Sequence, residues 1–365
     1  MKNKAFIVFV TSLMIGLFCC RPFIVYCAAD SGYTTDYVRL RTAPSLEAEI
    51  ITVLNPGHEL KILNSVNDEW TEVQWNGSAV YISSEYIAEK TSDTTTAIQP
   101  NRTSPVGNTN NNSNVVSLDP SWKYADYSAI HTGNAVMYRS TAANKNNIII
   151  GVNAGHGTEG GANVKTFCHP DQTPKVTGGS TSAGSVKATA VSSGMTFNDG
   201  TKERTVTLQM ARILRDMLLE EGYDVLMLRD GDDVQLDNIA RTVICNNAAH
   251  CHIAIHWDGD SLGYDKGCFY MSVPDGIKYM EPVASTWQSD EALGEALIWG
   301  LKEQGIKIFS SGSMDMDLTQ TSYSSVPSVD IELGNQCSSH TEAELYERGR
   351  GMVRGIARFF GVKEY

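Results

Sequence analysis

Two different periodicities divide the chain. Between residues 33 and 90 apolar and polar positions alternate over short stretches: Val38 and Leu40, Ile50 to Leu54, Leu60 to Val66, Trp70, Val73 and Trp75, then Val80 to Ile82. Turn residues separate these stretches at Asn55-Pro56-Gly57 and Asn76-Gly77, so the segment reads as a small antiparallel all-β barrel. From Asn147 the pattern changes. Ile148 to Val152 is a continuous apolar run, as a strand buried on both faces requires. Val206, Met210, Ile213, Leu214, Met217 and Leu218 recur at helical spacing between Glu203 and Glu221, and Gly222 ends that helix. Further strands are expected at 225–228, 253–256, 268–273 and 328–333, with helices at 236–249, 290–304 and 342–360. The alternation predicts an α/β fold: a mainly parallel sheet flanked by helices, with functional groups gathered beyond the carboxyl ends of the strands. Between the two patterned regions, residues 91–120 are rich in Thr, Asn, Ser and Pro and read as a linker. The aromatic-bearing stretch 121–146 reads as an arm packed on the second domain, which spans 147–365.

The first 29 residues follow neither pattern. Lys2 and Lys4 precede fourteen mostly apolar residues, Ala5 to Phe18, and Cys27-Ala28-Ala29 supplies the small residues of a cleavage site. This is the pattern of a secretory signal peptide cut after Ala29, and it implies a secreted or wall-associated protein. The alternative is an uncleaved anchor, which the second apolar stretch from Pro22 to Ala29 keeps open, although fourteen residues fall short of a bilayer. Bulky Tyr26 ahead of Cys27 argues against lipid modification there.

Export sharpens the composition. The chain has 365 residues, with 42 acidic and 29 basic side chains and a formal charge of −13. Cleavage removes Lys2, Lys4 and Arg21 and no acid, which leaves 26 basic residues and a charge of −16. Such a balance excludes nucleic acid as the main ligand. Of eight cysteines, five survive cleavage: Cys168, Cys245, Cys251, Cys268 and Cys337. They show no zinc-knuckle spacing, and an odd number leaves at least one thiol unpaired or bonded between molecules.

The candidate chemistry lies at the strand ends. One strand runs into Asn153-Ala154-Gly155-His156-Gly157, a second ends in Ile255-His256, and the last contains Ile331-Glu332-Leu333-Gly334. Glu203 opens the first long helix. If these ends converge, two imidazoles and two carboxylates share one cleft, the donor set of a catalytic zinc site with a carboxylate left over for proton transfer. Taken singly, each residue also has a plain structural role. Glu332 is the hardest to explain that way, because a buried carboxylate within an apolar strand is costly without a partner.

Two families share these patterns. The run Val38 to Ser45, the Pro56-Gly57 turn, Trp70 and Tyr81 to Ile87 resemble a bacterial SH3-like domain, which implies a module for binding cell-wall peptides. The segment from Ile148 onward resembles the catalytic domain of zinc-dependent N-acetylmuramoyl-L-alanine amidases. The matching pieces are Gly155-His156-Gly157, Glu203, Gly222 to Val225, Leu228-Arg229, Leu236, Arg241, Asn246, Ile253 to His256 and Pro327 to Gly334, in that order. The resemblance implies one Zn2+ held by His156, Glu203 and His256, with Glu332 as the catalytic carboxylate. It also implies bacterial peptidoglycan as the partner, cleaved at the amide between N-acetylmuramic acid and L-alanine. The chain departs from the family in places. Asn153 and Ala154 replace an Asp and a Pro, and Ala254, Trp257 and Asp258 replace a Ser before the second His and a small residue and an Asn after it.

The 46 residues between His156 and Glu203 include 21 Gly, Ser or Thr, and a connection this long is expected to overhang the cleft and help select substrate. Cys168 within it and Cys337 after Glu332 are the candidates for a disulfide. His169, His250 and His252 are expected at the surface or in loops, with His252 able to point toward the end that carries His256. Two other functions stay open. His156-Gly157-Thr158-Glu159 is an H-x-x-E, the metal motif of a zinc carboxypeptidase, in which Glu159 replaces Glu203 as ligand. A wall-binding protein with a catalytically dead second domain is the other.

Overall fold

The computed structural model describes residues 31–89, apart from 36–37, 46–47, 49, 55–57, 68 and 76, together with residues 114–362. The stretch expected as a signal peptide and most of the one expected as a linker lie outside these. The first unit contains strands β1 (Ser31–Thr34), β2 (Val38–Arg41), β3 (Ile50–Leu54), β4 (Glu59–Ser65), β5 (Trp70–Trp75), β6 (Ser78–Ser83) and β7 (Ile87–Glu89). They form one antiparallel sheet in the order β3-β2-β6-β5-β4-β1-β7. β5 and β6 pair from Trp70↔Ser83 to Trp75↔Ser78, and Gly77 turns the two-residue connection at φ 82°. The inward positions Val38, Leu40, Leu54, Leu60, Val73, Val80 and Ile82 close a core of their own.

The second unit is built on an eight-stranded mixed sheet. Its elements are β8 (Val115–Val116), β9 (Ala135–Tyr138), β10 (Ile149–Ala154), the hairpin β11 (Lys165–Phe167) and β12 (Lys187–Thr189), α1 (Glu203–Glu220), β13 (Asp224–Met227), α2 (Asn238–Ala248), β14 (Cys251–Asp258), β15 (Cys268–Ser272), α3 (Val283–Glu303), β16 (Ile308–Asp315), α4 (Thr319–Tyr323), β17 (Ser328–Asn335) and α5 (Glu342–Phe359). The order is β16-β15-β17-β14-β10-β13-β9-β8. β17, β14, β10 and β13 run parallel at the centre, as the sequence predicts, while β15 and β9 join them antiparallel. β8 falls inside the stretch expected as linker, because Val115 and Val116 find an edge partner in Ala135 and Val136. In the stretch that follows, Tyr124 and Tyr127 lie edge-on to Tyr323. Asp237 fastens this stretch. One of its carboxylate oxygens accepts the Ala129 and Ile130 N–H groups, and the other caps α2 at Ala240.

The two faces of the central strands differ in kind. Ile150, Val152, Ile253, Ile255, Val329 and Ile331 face α1, α3 and α5 in one apolar core. The alternate positions of β14 and β17 are His252, Ala254 and His256, and Ser328, Asp330 and Glu332. Strand periodicity therefore puts the polar set on the opposite face, in register as His252↔Ser328, Ala254↔Asp330 and His256↔Glu332.

α3 and α5 cross at glycines. A Cβ on Gly300 would lie 2.2 Å from the Gly351 carbonyl oxygen, and one on Gly355 would lie 2.5 Å from the Ala296 carbonyl oxygen. Gly→Ala in an exposed helix interior normally stabilises by roughly 1 kcal/mol. Here Gly355→Ala is expected to destabilise by about 1–3 kcal/mol through overpacking against backbone that cannot yield. Thermal unfolding of the variant checks this: a melting temperature at or above that of the unsubstituted chain would contradict the packing argument.

Candidate active site

The cleft is built around a turn that no ordinary strand end makes. After β10 the chain passes through His156 at φ 65° and Gly157 at φ 71°, the left-handed region that a non-glycine residue seldom occupies. Two buried arginines hold the turn from beneath. Arg241 donates to Asn153 Oδ1 (2.9 Å), the Ala154 carbonyl (3.1 Å), the His156 carbonyl (2.8 Å) and Thr158 Oγ1 (3.0 Å). Arg229 donates to the carbonyls of Ala154 (3.0 Å), Gly155 (3.0 Å) and Arg204 (2.8 Å). Burial draws Arg229 down to about 9 and Arg241 to about 10, so both stay charged at neutral pH.

The four predicted site residues come together. His156 Nε2 lies 2.8 Å from Glu203 Oε1 and 3.0 Å from His256 Nδ1, and His256 Nδ1 lies 3.1 Å from the same Glu203 oxygen. Among the described residues this is a group of three side chains whose donor atoms lie within 4.8 Å of one another. His156 Nδ1 is 2.9 Å from the Ser192 carbonyl, which can only accept, so the proton sits on Nδ1 and Nε2 keeps its lone pair. Glu203 opens α1 with its orientation locked by two backbone donors: Met195 N–H to Oε2 (2.7 Å) and Trp257 N–H to Oε1 (3.0 Å). Burial opposes its charge, but the contacts with His156 and His256 prevail and hold the carboxyl well below the usual range. Three donors 2.8–3.1 Å apart approach the edge of about 3.3 Å that follows from zinc bonds of about 2.0–2.1 Å in a tetrahedral site. The donor set therefore fits a zinc ion.

Glu332 stands beside His256 in the neighbouring strand. Its Oε2 is buried and has no hydrogen-bond partner. Burial and the nearby carboxylates of Asp330, Glu203 and Asp258 push its carboxyl well above the ordinary value. Asp330, two residues earlier on the same face, places Oδ2 3.7 Å from His256 Nε2. That aspartate was legible only as part of a motif, and no feature of the sequence marks it as facing the ring.

A cavity of about 580 Å³ opens over this group, and the long connection forms one wall through Lys175, Gly179 to Thr181, Ala188, Thr189, Val191 and Ser192. The wall is anchored by Asp317, whose carboxylate accepts from Val176 N–H (2.7 Å), Thr177 N–H (3.1 Å) and the Thr177 hydroxyl. The same carboxylate pairs with Lys175 Nζ (3.0 Å) and lies 3.2 Å from His169 Nε2. His169 is thus a buried anchor instead of a surface residue. His252 also departs from expectation. It shares the face of His256 but is fully buried, its ring nitrogens lack hydrogen-bond partners, and burial lowers it to about 3, which keeps it neutral. All five cysteines among the described residues are free. Cys168 bonds the Ser185 carbonyl and Cys337 the Leu262 carbonyl, so the expected disulfide between them is absent. Glu159 is exposed and paired with Arg204, apart from the donor group, which removes the feature behind the carboxypeptidase reading.

Comparison with known proteins now bears on the whole arrangement. A family model described as N-acetylmuramoyl-L-alanine amidase matches residues 150–349. The chain belongs to this family. It is an amidase, and a second model, described as bacterial SH3 domain, matches residues 36–88. Among solved structures, the N-acetylmuramyl-L-alanine amidase Ami1 from Mycobacterium smegmatis is 18% identical, with a TM-score of 0.51 over 60% of this chain and 100% of that one. At that identity the likeness speaks for a shared fold. The CwlD amidase from Clostridioides difficile, solved in complex with the GerS lipoprotein, is 18% identical with a TM-score of 0.43 over 60% of this chain and 100% of that one. No curated protein matches the chain significantly.

The site is crowded enough for one methyl group to test it. A Cβ on Gly155 would fall 2.2 Å from His256 Cε1. Gly155→Ala is expected to displace that ring and abolish tight zinc binding by the amidase domain, while the far-ultraviolet circular dichroism stays native. Metal content after dialysis reads the outcome, and full zinc occupancy in the variant would contradict the geometry. The same assay separates the two glutamates: Glu203→Ala should empty the site and Glu159→Ala should leave it filled.

Proposed function

We propose that this amidase is a zinc-dependent hydrolase of bacterial peptidoglycan that cleaves the amide between N-acetylmuramic acid and the L-alanine of the stem peptide. His156, Glu203 and His256 hold the metal in this reading, and Glu332 is the catalytic carboxylate. The observation that carries it is the convergence of three metal-type donors and one orphaned carboxylate on a single walled cavity. Zinc bound there supplies Lewis-acid polarisation of the scissile carbonyl and of the attacking water. Glu332 Oε2 accepts the proton of that water and returns it to the departing L-alanine nitrogen. The wall from Lys175 to Ser192 selects among stem peptides by shape.

The chain acts outside the cytoplasm in this reading, delivered by the signal segment and held on the wall by the SH3 unit. No helix among the described residues is long and apolar enough to cross a membrane. With a mature charge of −16 against a largely anionic wall, attachment comes from specific contacts and not from bulk electrostatics.

Product analysis tests the proposal. The mature protein with zinc should release free L-alanine amino termini from purified sacculi, and a chelator should stop the release. Glu332→Gln should lower the rate on the order of 10²–10⁴-fold while zinc stays bound. Release of C-terminal amino acids would overturn the assigned bond, and intact sacculi would favour a non-catalytic wall receptor.

A further inference from the structure

The two histidines differ in what their outer nitrogens meet. For His156 the outer nitrogen, Nδ1, is tied to the Ser192 carbonyl. For His256 the inner nitrogen is Nδ1, which faces His156 and Glu203, and the outer one is Nε2. The Asp330 carboxylate lies 3.7 Å from Nε2. Asp330 arrives there by register. Its strand partner across the ladder is Ala254, a small residue on the face that also carries His256. From the other side the ring rests against Gly155, where even a Cβ would come within 2.6 Å of three ring atoms.

We propose that Asp330 is the positioning residue for His256: its carboxylate accepts a hydrogen bond from Nε2–H, which keeps the proton on Nε2 and turns Nδ1, with its lone pair, toward the zinc site. The inference rests on the zinc reading above. A separation of 3.7 Å exceeds a direct hydrogen bond, so the proposed contact requires the carboxylate to turn about its soft terminal torsion. Among the described residues no other ion pair or hydrogen bond occupies this carboxylate, and a largely buried acid is costly without a partner. Carboxylate–histidine–metal arrangements fix both the tautomer and the ring orientation, and losing the outer carboxylate weakens the metal typically 10–100-fold.

Zinc affinity, measured on the mature chain by competition with a chromophoric chelator, tests this directly. Asp330→Leu should weaken zinc binding about 10–100-fold, and Asp330→Asn, which keeps an acceptor oxygen but no charge, should fall between Leu and the unsubstituted chain. Asp330→Glu should recover part of the loss. The melting temperature of the metal-free Leu variant should hold or rise, since a purely structural role predicts the reverse: a lower melting temperature with zinc affinity intact. Zinc binding by Asp330→Leu as tight as by the unsubstituted chain overturns the inference alone. So does a fall in turnover with affinity unchanged, which would make Asp330 a group that acts on substrate. Failure of the unsubstituted chain to bind zinc at all would sink the zinc reading and this inference with it.

Discussion

Everything at the cleft depends on one uncomfortable stretch of backbone. His156 must leave β10 in a left-handed conformation to bring its ring over Glu203 and His256, and the turn exposes a row of carbonyl oxygens to the interior. Those oxygens are out of reach of any ladder partner, and an unpaired buried carbonyl costs about 1–3 kcal/mol. Arg229 and Arg241 meet them with planar forks of N–H donors, each serving several acceptors at once. Lysine has neither the donor count nor the fixed geometry for this.

The rest of the site is arranged by the two-faced sheet. One face is apolar and carries α1, α3 and α5, so the strands are held rigidly without any help from the functional side chains. The other face is then free to carry histidines and acids. The long connection closes over that face and is tied down by the knot of Lys175, Thr177 and His169 around Asp317.

Much of this was legible in advance. The strand–helix alternation, the antiparallel first unit, and His156, Glu203, His256 and Glu332 could all be read from pattern and resemblance, because periodicity and strand-end residue types are local properties. What escaped reading was non-local or weakly patterned. β16 carries Ser310, Ser311 and Ser313 where an apolar alternation would mark a strand, and it survives as an edge by pairing with β15. α4 is five residues of Thr, Gln, Ser and Tyr, too short for a helical period. His169 does lie in a loop, but its burial there was not readable because its partner, Asp317, lies 148 positions away.

The sequence by itself determined which chemistry was on offer: two imidazoles, several acids, glycines at the tight turn, and a net negative chain. Only the tertiary structure decided which of these groups meet. Glu203 and not Glu159 joins the histidines, because α1 begins where β10 and β14 end and Arg204 draws Glu159 outward. Asp330 faces the His256 ring because β14 and β17 pair in one register, and a slip of one residue would turn the aspartate into the apolar core. Register is settled by the packing of the whole sheet and not by any residue within the strand, so no reading of one segment at a time could supply it.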